Sequence, residues 1–367
     1  MTLFPLPVGF LPLVDAAPLI VAAEMGFDHV ESIALDLRRA TSWSGLRDMV
    51  SFGQVLAAQM LSPMPVAAAL GLGGVSVGLS AISVLSTNGE VIGISNRIAD
   101  QLRERPNALA FDDAAAAGAA LISVAGGPLR VGVPFPFSMH AELLYYWLSS
   151  LGLPAPSALE VRTVPPPLMA AAMASGEIDA FCVGEPWGSI AVEKNAGELL
   201  LAGCAIWPGA PEKILGVRTD LLGTIPEQLG ALVRAVWHAG QWLDNPRNYT
   251  VACEILSSRT YLDVPSEIID RSLTGHLLTS ARGGTHMVHD FIGFSQTQPQ
   301  ERHAAWMADR LAGRLGLDRS AAVPAGRTQF AAAFHRHAVQ AIPGYEPDLP
   351  RPDRLFDGRD LNIDLGE

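Results

Sequence analysis

The stretch Asp179-Ala-Phe-Cys-Val-Gly-Glu-Pro-Trp187 joins a short apolar strand to the start of a helix. Gly184 has no side chain, so a ligand can approach the backbone where the strand ends. Glu185 and Pro186 suit a first helical turn, because a carboxylate there meets the positive end of the helix dipole and proline loses no hydrogen bond. Ligands of α/β proteins commonly bind where a strand ends and a helix begins. The stretch therefore predicts an α/β fold with a small-molecule site at Gly184.

The same alternation of strands and helices extends along the chain to about residue 225. Further strands are predicted at residues 6–10, 32–37, 55–60, 80–85, 91–95, 130–133, 159–164 and 214–217, and helices at 16–25, 43–52, 62–71, 112–122, 138–151 and 168–175. Asp15 is expected to cap the first of these helices. Beyond residue 225 the pattern predicts almost only helices. Strands that alternate with helices favour α/β lobes with mostly parallel strands.

The length of 367 residues exceeds what a single hydrophobic core usually supports, which favours two lobes. The Asn88-Gly89 pair marks a turn between two predicted strands. We predict a discontinuous first lobe formed by residues 1–88 and 214–345, and a second lobe formed by residues 89–213. The remaining residues, 346–367, are expected to form an extended tail on the surface.

The charge balance argues against several classes of protein. The chain has 25 Lys and Arg against 37 Asp and Glu, a net charge of −12, and 49% of its residues are hydrophobic. Because no basic run could follow phosphates, we expect no direct contact with nucleic acid, and an anion site would have to be built locally. Three cysteines without a CxxC pair fit a reducing compartment, and residues 1–7 do not resemble a signal peptide. We therefore expect a cytoplasmic protein without a membrane span.

Four positions could together form an anion site. Trp43 and His140 each lie at the start of a predicted helix, Gly184 precedes another, and Lys213 stands just before a strand. Helix N-termini present free N–H groups and partial positive charge, which suit an anion. Taken singly, each residue has a simpler interpretation, since Trp and His often belong to the core and Lys to the solvated surface.

Seven segments, which occur in the same order as in a known family, support a functional role for these positions. They are Leu11-Pro-Leu-Val-Asp-Ala-Ala-Pro-Leu19, Met60-Leu-Ser-Pro-Met-Pro65, Pro134-Phe-Pro-Phe-Ser-Met-His140, Tyr145-Tyr-Trp-Leu148, Val164-Pro-Pro-Pro167, Phe181-Cys-Val-Gly-Glu-Pro-Trp187 and Pro211-Glu-Lys-Ile-Leu-Gly-Val217. Together they resemble the nitrate- and bicarbonate-binding proteins of the NrtA/CmpA family, over roughly residues 6 to 320.

The resemblance implies a non-enzymatic protein with a two-lobe, periplasmic-binding-protein-like fold of type II, with a hinge and a central ligand cleft. It implies no cofactor and no metal. The ligand residues of the nitrate-binding members fall on Trp43, His140, Gly184 and Lys213. A fifth family position, after the Asn-Gly turn, falls on Glu90.

Glu90 departs from the family pattern, because the relatives have an amide there. At ~4 Å and an effective dielectric constant of ~20, an ionised Glu would repel an anion by about 4 kcal/mol. Glu90 must then point away, be neutralised by Lys213 or His140, or be protonated. A carboxylate would suit bicarbonate, which donates a hydrogen bond, whereas Lys213 favours nitrate, because bicarbonate-binding members carry an acid at that place. We favour nitrate.

Three functions stay open at this point. Members without an export signal resemble cytoplasmic nitrate/nitrite sensors of the NasS type, which release an RNA-binding antiterminator (NasT-like) partner when the anion binds, and this is our first expectation. The second is the substrate-binding subunit of a nitrate or bicarbonate ABC transporter. The third is an enzyme related to the pyrimidine-precursor synthases, which need a cysteine-rich motif, whereas Cys182, Cys204 and Cys253 are scattered.

Overall fold

The computed structural model describes residues 3–74, 76–104, 111–347 and 353–361. Within these ranges the strands are β1 (Phe4–Phe10), β2 (Ile33–Arg39), β3 (Ala57–Leu61), β4 (Leu79–Asn88), β5 (Glu90–Ser95), β6 (Leu129–Val133), β7 (Leu159–Thr163), β8 (Ala180–Gly184), β9 (Gly197–Ala202), β10 (Pro211–Arg218), β11 (His276–Ser280), β12 (Gly284–Met287) and β13 (Ile292–Gly293). Two mixed α/β lobes result, each built on one large sheet. The strand order is β13-β4-β10-β3-β1-β2 in the first lobe and β7-β6-β8-β5-β9 in the second.

Helices cover both sheets and fill most of the C-terminal third. They are α1 (Ala17–Glu24), α2 (Phe27–Val30), α3 (Trp43–Ser51), α4 (Pro63–Ala69), α5 (Asn96–Arg103), α6 (Ala114–Val124), α7 (Met139–Ser150), α8 (Met169–Ala174), α9 (Trp187–Glu193), α10 (Leu221–Thr224), α11 (Pro226–Leu243), α12 (Tyr249–Ser257), α13 (Ser266–Thr274), α14 (Glu301–Leu315), α15 (Arg319–Arg327) and α16 (Ala332–Val339). None of the helices in the described ranges is long and apolar enough to span a membrane.

The expectation of mostly parallel strands is wrong. β1 runs parallel to β2 and β3, and β6 runs parallel to β7 and β8. However, β10 is antiparallel to β3 and β4, and β5 is antiparallel to β8 and β9. Helical crossovers impose a parallel direction, but β5 and β10 are entered directly from the other lobe and are free of that constraint.

The Asn88-Gly89 turn is the first crossing between the lobes. It joins β4 of the first sheet to β5 of the second, and both of its residues have positive φ, 52° and 91°. Glycine adopts such a conformation without a steric penalty, and asparagine tolerates it better than most residues. The turn therefore redirects the chain from one sheet to the other instead of closing a hairpin.

The C-terminal part contains strands that the helical pattern did not predict. β11 and β12 form an antiparallel hairpin, and β13 pairs with the end of β4. Gly275 ends α13 with φ +71°, and Gly283 turns the hairpin with φ +95°. Strand β9 was also not predicted, because apart from Glu198 its residues are apolar or glycine and show no alternation.

The predicted tail lies partly outside the described residues, which omit 348–352 and 362–367. In the part that is described, Leu355 and Leu361 are buried, and Asp353 accepts hydrogen bonds from the Trp207 indole and the Arg302 guanidinium. Residues 353–361 therefore pack against the body of the protein.

Candidate functional site

Lys213 lies at the centre of a buried polar cluster between the two sheets. It stands on β10, which places it between Leu61 of β3 and Ser86 of β4. The side chain is fully buried, and Nζ lies 2.9 Å from Asp15 Oδ2 and 2.6 Å from Glu212 Oε1. Burial alone would lower the pKa of Lys213, but the two carboxylates outweigh it, so that its pKa is raised. Lys213 therefore carries a permanent positive charge inside the protein.

Asp15 belongs to this cluster, and the expectation that it caps a helix is wrong. It lies in the 3-10 turn Val14–Ala16, and neither that turn nor α1 has a side-chain cap. Its carboxylate accepts hydrogen bonds from Lys213 and from the amide of Gln59, whose oxygen in turn accepts from Leu11 N at 2.7 Å. Burial raises the pKa of Asp15, and Lys213 and Gln59 oppose that rise.

Glu212 is the second carboxylate of the cluster and the immediate neighbour of Lys213. Adjacent strand residues normally point to opposite faces. Here the pairing of β10 with β4 shifts register on both sides of Lys213. Such a bulge lets consecutive side chains turn toward one side. Burial raises the pKa of Glu212 to about 6, while Lys213 opposes the rise.

Trp43 forms an apolar wall of the site and offers it a donor. It is the first residue of α3, whose N-cap Ser42 accepts a hydrogen bond from Gly45 N. Lys213 Nζ lies 5.5 Å from the Trp43 ring centroid. The indole Nε1 is buried, and it has no hydrogen-bond partner among the described residues. A buried donor of this kind is costly to leave unpaired, so it suits an acceptor that arrives from outside.

His140 approaches the cluster from the second lobe. It lies in the first turn of α7, where Ser138 caps the helix by accepting from Ala141 N. The imidazole is fully buried, and in the described part of the chain neither ring nitrogen has a partner in hydrogen-bond geometry, although Nδ1 lies 3.0 Å from Glu212 Oε1. Burial, and then the charge of Lys213, hold the pKa of His140 well below its usual value. The ring is therefore neutral and has one N–H to donate.

Gly184 ends β8 at the same place. A Cβ atom added there would lie 3.5 Å from His140 Nε2 and 3.3 Å from Asp15 Oδ2. The glycine thus borders space shared by one residue from each lobe. Since any side chain would enter that space, the strand end stays accessible only as bare backbone.

Glu90 lies directly opposite Gly184 in the antiparallel pair of β5 and β8. Its side chain is fully buried, and neither carboxylate oxygen has a partner in hydrogen-bond geometry within the described ranges. The carboxylate packs against the backbone of Gly203, where an added Cβ would collide with it. Burial and the nearby Glu212 raise the pKa of Glu90 to about 8, against the smaller opposing influence of Lys213.

Cys182, which lies within β8, and Glu185, which follows it, have structural roles. Glu185 is buried and accepts a hydrogen bond from Ser189 N at 3.2 Å, as expected of a carboxylate at a helix start. Burial raises the pKa of the Cys182 thiol well above its usual value, which leaves it unreactive near neutral pH.

The structure thus brings all five predicted positions together and adds three residues that sequence reasoning missed, Asp15, Gln59 and Glu212. Of the five predicted positions, Trp43 and Lys213 come from the first lobe. The other three, His140, Gly184 and Glu90, come from the second lobe. The chemistry is one permanent cation, two unpaired N–H sources and three carboxylates. No group of three or more His, Cys, Asp and Glu side chains in the described parts of the chain could hold a metal ion.

A model of the NMT1-like family matches residues 4–257. The chain belongs to this family. It is 30% identical over 306 residues to the nitrate/nitrite binding protein NrtA of Nostoc sp. (strain PCC 7120), covering 81% of this chain and 68% of that protein. This extent of similarity places the chain among the NrtA/CmpA proteins, as its seven sequence segments predicted.

The same relationship appears in three dimensions. The crystal structure of the periplasmic nitrate-binding protein NrtA from Synechocystis PCC 6803 matches with a TM-score of 0.86 and 28% identity, over 98% of this chain and 95% of that one. The predicted two-lobe, periplasmic-binding-protein-like fold is therefore confirmed. Because these relatives are binding proteins, the chain belongs to a family of binding proteins and not to a family of enzymes.

A third relative is longer. The chain is 34% identical over 309 residues to the bicarbonate transport ATP-binding protein CmpC of Synechococcus elongatus, covering 84% of this chain but 45% of that protein. The chain spans about 45% of the length of the first curated relatives that it matches. The sequence given contains no Gly-x-x-x-x-Gly-Lys-Ser/Thr motif.

Proposed function

We propose that this protein binds nitrate or nitrite between its two lobes, in contact with Trp43, His140, Gly184 and Lys213, and that it serves as the substrate-binding subunit of an ABC transporter. One observation carries the binding proposal. The buried ammonium of Lys213 lies beside the unpaired N–H of Trp43 and the neutral imidazole of His140. Nitrate only accepts hydrogen bonds, and this set supplies donors.

The choice between anions rests on Lys213. An ammonium held by buried carboxylates cannot lose its proton near neutral pH, so it always offers a donor and never an acceptor. Bicarbonate needs one acceptor for its own O–H, and Glu90 or Glu212 could supply it. Bicarbonate is therefore the alternative ligand of the same site, and measuring the affinity of the protein for each anion decides between them.

The transporter role rests on the relatives. NrtA is named as a nitrate/nitrite binding protein and CmpC as part of bicarbonate transport. These names support a transport component more than a sensor. Our second proposal is a cytoplasmic sensor that uses the same site and releases an RNA-binding antiterminator. The cytoplasmic location is part of that second proposal.

Calorimetric titration of the purified protein with nitrate, nitrite and bicarbonate tests the binding proposal. We expect saturable binding of one nitrate or nitrite per chain, with bicarbonate weaker at neutral pH. Chloride serves as the control for non-specific anion binding. Bicarbonate binding alone would replace nitrate with bicarbonate as the ligand, and no binding of any oxyanion would refute the proposal.

A further inference from the structure

Glu90 stands on the face of the second sheet that borders the candidate site. Residues directly opposite each other in an antiparallel pair project to the same side of the sheet. Glu90 is paired in this way with Gly184, whose missing side chain would point toward Asp15 and His140. The carboxyl group of Glu90 is therefore directed to the side from which the anion is contacted.

The surroundings of Glu90 do not stabilise a negative charge. The side chain is fully buried, and among the described residues neither carboxylate oxygen has a partner in hydrogen-bond geometry. The donors nearest to it, the backbone N–H of Glu90 and the Asn88 side chain, lower its pKa less than burial and Glu212 raise it. A buried carboxylate so weakly solvated is unfavourable in its ionised form, whereas the neutral acid carries an O–H that can be given to a ligand.

The charged and titratable groups that face Glu90 reinforce this conclusion. From β10 they are Glu212 and Lys213, and from the elements on either side they are the thiols of Cys182 and Cys204. Lys213 already contacts two carboxylates, those of Asp15 and Glu212, so the three groups carry a net charge of −1 (+1 − 2) when all are ionised. An ionised Glu90 would raise the excess negative charge to −2 at the place where an anion must bind.

We propose that Glu90 binds nitrate as the neutral acid, donating its O–H to the anion, so that nitrate enters the site only when Glu90 carries a proton. This inference rests on the proposed function and makes Glu90 the residue that determines specificity. Its ionised form would instead accept the O–H of a protonated oxyanion such as bicarbonate. The proton comes from solvent, and no bond other than O–H is made or broken.

The raised pKa of Glu90, about 8, sets the pH range in which the dependence of nitrate binding on the protonation of Glu90 is measurable. Below that pH the acid is already neutral, and nitrate affinity should be nearly constant. Above it each binding event must take up one proton, so the dissociation constant for nitrate should rise about tenfold per pH unit. His140, whose pKa is lowered, does not titrate in this range.

The test compares the wild-type protein with Glu90→Gln by calorimetry at pH 7, 8 and 9. The amide keeps the shape and a donor but cannot ionise. We expect the dissociation constant of the wild type to rise about fivefold between pH 8 and pH 9, with about half a proton taken up at pH 8 and nearly one at pH 9 in paired buffers of different ionisation enthalpy. The variant should show no such rise, and at pH 9 it should bind nitrate about tenfold more tightly than the wild type.

Two thiol variants serve as controls, since thiols normally titrate in this range. Cys182→Ser and Cys204→Ser should each keep the full pH dependence of the wild type. A wild-type affinity that is flat from pH 7 to 9 would overturn the proposal, and so would a pH dependence that persists in Glu90→Gln. Both outcomes leave nitrate binding itself intact, whereas absence of nitrate binding by the wild type at every pH would refute the proposed function first.

Discussion

At the residue scale, the site is a buried ionic cluster whose free energy depends on every charge having a partner. Lys213 is fully buried yet charged because Asp15 and Glu212 lie within 3 Å of its Nζ. Removing one member of a buried charge pair is more harmful than replacing the whole pair with apolar groups. Loss of any one of these side chains should therefore destabilise the fold as well as alter the site.

Sequence reasoning found the cation of this cluster but not its counter-ions. Lys213 was singled out by a motif, whereas Asp15 was interpreted as a helix cap because Asp commonly plays that role. Glu212 was overlooked, because the strand was predicted to begin only at residue 214, whereas β10 begins at Pro211. The bulge beside Lys213 that brings both side chains together leaves no mark in the residue pattern. The contact between Asp15 and Lys213 joins residues that are far apart in the sequence, so local periodicity does not predict it.

Trp43→Phe should weaken nitrate binding while leaving an aromatic ring in the wall of the site. The variant removes the indole N–H, which has no hydrogen-bond partner among the described residues, together with part of the ring. The loss of one neutral hydrogen bond is worth about 0.5–1.5 kcal/mol, which corresponds to roughly a two- to tenfold rise in the dissociation constant. Calorimetry measures the affinity, and thermal unfolding should show a moderate loss of stability, because the smaller ring leaves a void in a buried position. An unaltered affinity would place Trp43 outside the ligand contacts.

At the scale of elements, the helix starts were predicted well because their signals are local. Ser42 and Ser138 each accept a backbone hydrogen bond at the N-terminus of their helix. The hairpin of β11 and β12 was not predicted, because its stability comes from packing on the second lobe. Local capping chemistry can be read from three or four residues, whereas a strand that depends on a distant partner cannot.

Gly184→Ala tests whether the end of β8 borders the ligand. An added Cβ would lie between 3.0 and 3.5 Å from Leu13, Asp15 and His140, which narrows the space without a backbone clash. We expect nitrate binding at least tenfold weaker by calorimetry, equivalent to about 1.4 kcal/mol or more. Gly223→Ala is the matched control, because nothing lies within 4 Å of its added Cβ. Equal affinities of the two variants would remove Gly184 from the site.

At the scale of the whole molecule, the site is assembled from both lobes, so its occupancy and the lobe arrangement are linked. The chain crosses between the sheets at the Asn88-Gly89 turn and again between β9 and β10. If the two lobes exchange between an open and a closed arrangement, a ligand shifts that equilibrium only by binding one arrangement more tightly than the other. Two lobes were predictable from length and element order, whereas the mixed strand directions were not, because they follow from these direct crossings.

Small-angle scattering should therefore report a more compact protein when nitrate is saturating. The expected change is a decrease in the radius of gyration, with chloride at the same concentration as the control. Identical scattering curves with nitrate and with chloride would show that the lobes do not respond to the ligand.

The sensor and the transporter subunit differ in what they contact, and a sizing column separates them. If the sensor proposal holds, an RNA-binding antiterminator should co-elute with this protein without nitrate and separate in millimolar nitrate, because linkage requires each ligand to weaken the other by the same factor. A complex that never forms, or one that is indifferent to nitrate and nitrite, would leave the transporter role.

The most direct test of the central claim compares the two lysines of the chain. Lys213 is fully buried in the cluster, whereas Lys194 is exposed on the surface. In calorimetric titrations, Lys213→Ala should bind nitrate roughly ten- to hundredfold more weakly than the wild type, since a charge-assisted hydrogen bond is worth about 1.5–3 kcal/mol. Lys194→Ala should bind like the wild type, and near-UV circular dichroism should verify that both variants are folded. A folded Lys213→Ala protein with wild-type affinity for nitrate would contradict the account.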